Sequence, residues 1–193
     1  MQSLTLKTPP SVEPVNLHEA KDWANLDHDE FDFLINRRIT SSRKQVESYI
    51  QRALNTQTYT YMLQSFKDIV LPMPPTQSVT HIKYIDTDGV QQTLAGSVYK
   101  LVLRNGRTHV VLDYDQEWPE YRSQEDPIEI EFIAGYGDDA ADVPEPIQEA
   151  IMVMVTDAVE NRQSEVIIPG AKFTQSIMAA DNLLAPYRSW FAT

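Results

Sequence analysis

The sequence predicts an α+β protein in which a helical bundle carries an antiparallel β-rich insertion between its long helices. Apolar residues recur at helical spacing over about 29–54 and again over about 146–162. Between them, short runs of alternating apolar and polar residues are separated by turn signals. A shorter amphipathic stretch near the carboxyl end predicts a C-terminal helix.

Length and composition fit one domain, or one domain with a sizeable insertion. The chain has 193 residues, an apolar fraction of 42% and no cysteine. A chain of this length buries roughly 70% of its unfolded surface, so it needs no disulfide or metal staple. We expect residues 1–55 and 144–193 to form the helical domain, and 56–143 the insertion. No signal peptide and no membrane span are expected, because no basic start precedes a long apolar run.

The first helical region contains a short helix and a long one. "LHEAKDWANL" at 17–26 fits the short helix. Asp27, with Glu30 three residues later, matches a capping box at the start of the long helix. Basic residues lie on the other faces of that helix, where they either face solvent or meet an acidic neighbour. They are Arg37, Arg38, Arg43, Lys44 and Arg52.

The middle region predicts a small antiparallel sheet or partial barrel. "TYTYML" and "SVTHIKYI" are strand-like, and the prolines of "DIVLPMPP" restrict that run to a sheet edge. Asp88-Gly89 and Asn105-Gly106 are hairpin signals, the second the stronger. In "PIEIEFIAGY" the apolar residues alternate with Glu129 and Glu131, which predicts one wet face.

The second long helix is apolar around much of its circumference. Pro146 suits its first turn. Met152 and Val153 widen its apolar stripe beyond one face, so we expect cover from the sheet or from another copy of the protein. "QSEVIIPGAKFTQS" then predicts a loop with a Pro-Gly turn. The aromatic end of the chain docks either on its own domain or on a partner.

Acidic charge is concentrated in one part of the chain. The net charge is −12, and residues 113–145 hold twelve acidic residues and one basic residue, Arg122, so this window carries −11. Such a surface repels nucleic acid, which excludes a protein that grips the phosphate backbone.

The sequence offers little for catalysis. It has no nucleophile elbow, phosphate-binding loop or dinucleotide fingerprint. Its four histidines, His18, His28, His81 and His109, are scattered, so no metal site is expected. Glu129 and Glu131 share a strand face and could act as paired carboxylates, but a wet sheet face explains them better.

A further acidic group precedes the second long helix. Asp138, Asp139 and Asp142 lack the spacing of an EF-hand calcium loop. They fit a solvated loop whose acids oppose the positive end of the helix dipole. We therefore predict no catalytic residue, no cofactor and no metal.

The order of several segments resembles a known family. "LTLKTPPSVEPVNLHEAKDW" is followed by "DHDEFDFLINRRITSSRKQVESYIQRAL", "IVLPMPPTQSVTHIKYIDTDG", "FIAGYGDDAADVPEPIQEAI" and "LLAPYRSW". In this order and spacing, they resemble the head–tail connector, or head-completion adaptor, proteins of tailed bacteriophages and related gene-transfer particles. The similarity covers nearly the whole chain. The stretch from Ser164 to Met178 departs from it by its greater length.

The resemblance implies a structural virion protein of the neck, made in the host cytoplasm, without enzymatic activity, cofactor or membrane contact. It implies a ring of roughly a dozen copies beneath the portal, which extends the DNA channel and offers a docking surface to the next neck or tail protein. Genome DNA passes through such a channel without specific binding.

The resemblance also assigns expected roles to three sets of residues. The portal-docking tail is expected at Leu183, Leu184, Tyr187, Arg188, Trp190 and Phe191. Inter-subunit helix faces are expected at Arg37, Arg38, Arg43, Lys44, Met152 and Val153. Acidic residues lining the channel or its rim are expected at Asp113, Asp115, Glu117, Glu129, Glu131, Asp138, Asp139 and Asp142.

Two other interpretations stay open at this stage. One is another neck component, such as a stopper or tail-completion protein. The other is a stand-alone β-rich binding module or carboxylate hydrolase, for which Glu129 or Glu131 would be essential.

Overall fold

A computed structural model describes residues 2–160 and 173–188, without the side chains of 160 and 173–177. The predicted α+β mixture with antiparallel sheets is confirmed. The chain divides into two compact units, a β unit of residues 1–10 and 56–136 and a helical unit of residues 11–55 and 137–193. The sequence had assigned residues 1–10 to the helical domain. They join the β unit because they form a strand that pairs with a later one.

The β unit contains two antiparallel sheets. The larger has the order β1-β2-β8-β4-β5 and the smaller the order β3-β7-β6. The strands are β1 (Ser3–Thr8), β2 (Gln57–Leu63), β3 (Ile69–Val70), β4 (Thr76–Ile85), β5 (Gln91–Thr93), β6 (Tyr99–Arg104), β7 (Arg107–Leu112) and β8 (Ile128–Ala134).

Strand β8 is the centre of the larger sheet. Its Ile130 pairs with Tyr61 of β2 on one side and with Ile82 of β4 on the other. Ile128, Ile130 and Phe132 are completely buried, as the period-two alternation predicted. Each side chain of this size contributes roughly 1.5–3 kcal/mol by leaving water. This burial fixes the register and directs the intervening glutamates to the opposite face.

The predicted hairpins form where the turn chemistry placed them. Asn105 and Gly106 both have positive φ, as a two-residue hairpin between β6 and β7 requires. Gly89 has a φ of +85° in the turn between β4 and β5. The proline-rich run keeps only the two-residue strand β3, which lies at a sheet edge as expected.

The long segment between β7 and β8 is anchored by aromatic rings. Phe66 is buried and stacks on Trp118 with ring centroids 4.7 Å apart. Tyr121 meets Phe66 edge-on at 5.5 Å. Offset and edge-to-face aromatic pairs of this kind hold an irregular segment on the β unit without regular hydrogen bonding.

The helical unit holds α1 (Leu17–Trp23), α2 (Asp32–Ile50), α3 (Glu145–Glu160) and α4 (Phe173–Leu184). The predicted capping box at Asp27 and Glu30 is wrong, because α2 begins later, at Asp32, and no side chain caps it. Lys21 instead binds Asp29 and Asp32, at 2.6 and 2.8 Å. These bonds tie α1 to the start of α2.

The other helix ends follow ordinary capping rules. Asn16 and Glu19 form a capping box at α1. Gln51 takes the left-handed conformation at the end of α2. Helix α4 begins at Phe173, earlier than the sequence indicated, and the predicted Pro-Gly turn lies outside the described residues.

Helix α3 packs against both α2 and α4. Its buried residues are Ile147, Ala150, Ile151, Val155 and Val159. In the part of the chain that the structure describes, no helix combines the length and the apolar character that a membrane crossing needs.

Candidate assembly surfaces

A ladder of alternating charges crosses one face of the larger sheet. Lys7 of β1 binds Glu131 of β8. On the other side of β8, His81 Nε2 of β4 lies 3.3 Å from Glu129 Oε1 and 4.0 Å from Glu131 Oε2. Lys83 Nζ lies 3.8 Å from Glu129 Oε1. The register of β4 on β8 produces this arrangement, because it pairs His81 with Glu131 and Lys83 with Glu129.

This ladder corrects the expectation of a wet acidic face. The side chains of Glu129 and Glu131 are only 29% and 12% exposed, and both have basic neighbours. A catalytic carboxylate pair needs one acid to hold a proton beside the other, whereas here each acid faces a basic group. Across the described ranges, no group of three or more histidine and acidic side chains could hold a metal ion.

The acidic loop before α3 is a structural joint. Asp139 and Asp142 form a capping box around the short 3-10 helix Ala140–Asp142, in which Asp142 Oδ2 accepts from Asp139 N at 3.0 Å. The buried Asn55 donates from Nδ2 to the Asp139 carbonyl at 3.2 Å. Two of the three predicted acids therefore shape the chain locally, and Asp138 is exposed.

The remaining acidic candidates follow β7. Asp113 accepts from Tyr114 N at 2.8 Å and pairs with Lys100 at 3.1 Å. The Tyr114 backbone bond first, and Lys100 second, hold the pKa of Asp113 below its ordinary value. Asp115 and Glu117 are exposed. The acids that are contiguous in sequence thus divide between the β unit and the helical unit.

Arg43 is not on an outer face of α2. Its Nε donates to Glu13 Oε2 at 2.7 Å and its Nη1 to Glu47 Oε2 at 2.8 Å, with 3% of the side chain exposed. Glu47 also accepts from Leu54 N at 3.0 Å. Burial alone would lower the pKa of Arg43, but the bond to Glu13 and the charge of Glu47 outweigh it and raise that pKa. Arg43 is therefore removed from the expected inter-subunit face.

The other predicted cations of α2 do form an exposed surface, here called the basic face. Arg37, Arg38 and Lys44 are exposed. Phe33 lies one helical turn before Arg37 and is 83% exposed. The basic face consists of these four residues.

Helix α3 presents a contrasting surface. Glu145 and Glu149 are exposed one turn apart, and Met152 and Val153 beyond them are half-buried. The predicted second apolar side is thus only partly covered in the described chain. The acidic face is defined as Asp138, Asp139, Asp142, Glu145 and Glu149.

The first part of the predicted portal-docking tail contacts α2 and the residues that directly follow α2. Leu184 is buried. Arg52 Nε donates to the Tyr187 carbonyl at 2.6 Å, and the Arg188 guanidinium lies 5.0 Å from the centre of the Tyr49 ring. Leu183 and Tyr187 are half-buried, whereas Trp190 and Phe191 lie outside the described residues.

Sequence reasoning missed the residues that anchor these surfaces. Glu13 carries no local pattern that distinguishes it, and its partner Arg43 lies 30 positions away. Tyr49 belongs to the predicted apolar stripe of the long helix, but its contact with Arg188, 139 positions away, has no local signal. Lys7 was missed because β1 itself was not predicted. The alternation of Lys83 with its strand neighbours was the one available signal. It indicated the sheet face on which Lys83 lies, but not that Glu129 is its partner.

Comparison with known proteins identifies the fold. No family model matches the chain, and no curated protein matches it. Among solved structures, a chain in the neck of an empty gene transfer agent particle with C6 symmetry superposes with a TM-score of 0.80. That match has 18% identity and covers 99% of this chain and 97% of the other. The chain has the fold of a gene transfer agent neck protein.

Two further structures agree with this fold. A chain in the virion of the native gene transfer agent particle gives a TM-score of 0.78 at 18% identity, over 98% of this chain and 97% of that one. A chain in the neck of the native particle with C12 symmetry gives 0.69 at 19% identity, with the same coverage. The similarity spans both units and leaves no large part of either chain unmatched.

Proposed function

We propose that this chain is a structural virion protein of the neck, a head–tail connector that joins the portal to the next neck or tail protein. The observation that carries the proposal is the agreement in fold over 99% of this chain and 97% of a neck chain. A neck protein acts through its surfaces and not through a reaction centre, so the proposal includes no enzymatic activity. Ion pairing of Glu129 and Glu131 is consistent with this.

The proposed assembly is a closed homo-oligomeric ring of about twelve copies. The neck structures with similar chains have sixfold or twelvefold symmetry. Cyclic symmetry requires each copy to present two different surfaces that fit each other. Arg37, Arg38, Lys44, Met152 and Val153 are the expected residues that remain accessible or half-accessible for this role.

Portal docking is proposed for the end of the chain, in the segment that follows Arg188. Residues 183–188 are fastened by Arg52 and Tyr49, so they provide a fixed base. Trp190 and Phe191 follow that base at once, and large aromatic side chains are favoured interface anchors. The docking segment proper then begins after Arg188.

The proposed role of acid in the channel rests on the exposed carboxylates. Asp115, Glu117 and Asp138 have no basic partner among the described residues, whereas Asp113 and the two glutamates of β8 do. Repeated around a ring, unpaired carboxylates would repel the DNA backbone and let the genome slide. Their positions in an assembled particle test this, because carboxylates on the outer wall could not act on DNA.

The whole proposal is tested by deleting the gene for this chain and examining the particles that are then produced. Without the chain, filled heads that lack tails are expected. Supplying the chain should restore complete particles, with a ring of density at the neck in electron micrographs. Intact necks without this chain would overturn the proposal. A stopper or tail-completion role predicts cross-links from the chain to tail proteins alone, whereas a connector also cross-links to the portal.

A further inference from the structure

The basic face of α2 has no partner within its own helix. Neither Arg37 nor Arg38 has an acidic residue three or four positions away, where helical ion pairs form. Lys44 has Glu47 three positions on, but that carboxylate is buried and already bound by Arg43 and Leu54. None of the three cations takes part in an ion pair among the residues that the structure describes.

The acidic face has the opposite composition. From Asp138 to Glu160 the chain contains seven acidic residues and no lysine, arginine or histidine. Glu145 and Glu149 lie one turn apart on the exposed side of α3, where like charges repel each other. An approaching cationic surface would relieve that repulsion.

Among the described residues of one chain, no ion pair joins the two faces; the ion pairs of α2 are those of Asp32 and Arg43. Helix α2 packs against α3, and the side of α2 that it buries carries Ile35, Ile39 and Val46. The residues of the basic face are exposed and lie outside this buried stripe. Complementary charge on two separate surfaces of one molecule is what a head-to-tail contact between copies requires.

We infer that the basic face of each copy binds the acidic face of the next copy, so that charge complementarity closes the ring. The inference rests on the proposed ring and names its contact. Phe33 supplies an apolar contact at one end of the basic face, since it is 83% exposed one turn before Arg37. The half-buried Met152 and Val153 lie beyond Glu149 and are the apolar surface that Phe33 meets. Protein interfaces commonly combine apolar anchors with charged residues in this way.

The test uses the full-length chain with paired charge reversals. The basic-reversed chain carries Arg37→Glu and Lys44→Glu, and the acid-reversed chain carries Glu145→Lys and Glu149→Lys. Each reversed chain has two faces of like charge and is expected to associate with itself at least about tenfold more weakly than the unaltered chain in low salt. Sedimentation at the highest attainable concentration measures this.

Mixing the two reversed chains gives the decisive measurement. In an equimolar mixture the native acidic face of one chain meets the native basic face of the other, and the two reversed faces also match. Association is expected to return, with the two chains alternating, which suits a ring with an even number of copies. Failure of association to recover in this mixture overturns the inference.

Matched controls separate this effect from net charge and from misfolding. Lys67→Glu with Arg104→Glu changes the net charge as the basic-reversed chain does, but at exposed residues of the β unit. Glu120→Lys with Glu125→Lys does the same for the acid-reversed chain. Both controls should associate like the unaltered chain, and circular dichroism should show unchanged helix content. Recovery in the mixture is itself proof that the reversed chains fold.

Three further outcomes would overturn the inferred contact. They are an unaltered chain that stays monomeric, reversed chains that associate normally, and controls that fail equally. If the reversed chains still form a ring, the proposed neck role stands, and only the assignment of these two faces to the contact between copies is wrong. A particle whose neck lacks the chain removes the proposed function itself, so the two failures are distinguishable.

Discussion

The side chain of Asp142 fills the space beside Gly137 that any other side chain at that position would need. The same carboxylate accepts a hydrogen bond from the backbone N–H of Asp139. The backbone carbonyl of Asp139 in turn accepts a hydrogen bond from the side chain of Asn55. Glycine at position 137 is therefore required by a close approach, and the acid nearest to it holds the chain leading into α3. Asp139 and Asp142 therefore have a structural role at that joint.

Replacing Gly137 by alanine is expected to destabilise the protein. The added methyl group overlaps Asp142, which must give up its bond to Asp139, and changes of this kind cost about 1–3 kcal/mol. Gly96→Ala is the matched control, because a side chain there meets no atom within 4 Å. Urea unfolding measures both variants. Equal midpoints for the two alanine variants would show that Asp142 moves aside freely.

Arg43 should matter far more to stability than its neighbour Lys44. Arg43→Ala leaves Glu47 buried without its partner, and breaking a buried pair in this way costs roughly 3–5 kcal/mol. Lys44→Ala removes an exposed cation and should change the unfolding free energy by no more than about 0.5 kcal/mol. Denaturant titration of the two variants in parallel provides the measurement. Similar losses would contradict the buried network.

The sequence was sufficient where structure depends on neighbouring residues. Asn105-Gly106 was recognised because two successive residues with positive φ are needed at that turn, and few residue types accept them. The alternation around Ile130 likewise identified the buried face of β8, since strand geometry alone decides which side chains share a face. Both predictions needed only a few consecutive residues.

Sequence reasoning failed where the deciding partner was distant. Arg43 was expected at the surface because nothing near it on α2 except Glu47 signals burial, and Glu13 is 30 residues away. Lys7 was missed because β1 is ordinary in composition and exists only through pairing with β2. Glu129 was correctly placed on the polar face, but its basic partners depend on the register of a neighbouring strand. The sequence thus indicated which residue types form the candidate surfaces, but not which residues they contact.

Arg52 is expected to fasten the last described residues to α2. Arg52→Ala removes the donor to the Tyr187 carbonyl, and Tyr49→Leu removes the ring beneath Arg188, a contact of about 0.5–1 kcal/mol. Amide hydrogens of residues 183–188 should then exchange faster. The control is Arg38→Ala, an exposed cation on the same helix. Equal exchange in all three variants would show that the terminus is held by Leu184 alone.

The carboxylate of Asp86 should titrate at higher pH once Gln92 is removed. Gln92 Nε2 donates to Asp86 Oδ2 at 2.8 Å, and this bond, followed by the backbone bond from Val90, holds the pKa of Asp86 below 3.8. Because the folded pKa is lowered, its contribution to stability is present above pH 3.8 and is lost as the pH falls through the folded value. In Gln92→Leu the pKa of Asp86 should rise towards 3.8, measured by carboxyl-carbon nuclear magnetic resonance, while the neighbouring Gln91→Leu should leave it unchanged. An unchanged pKa in Gln92→Leu would mean that the backbone donors alone set it.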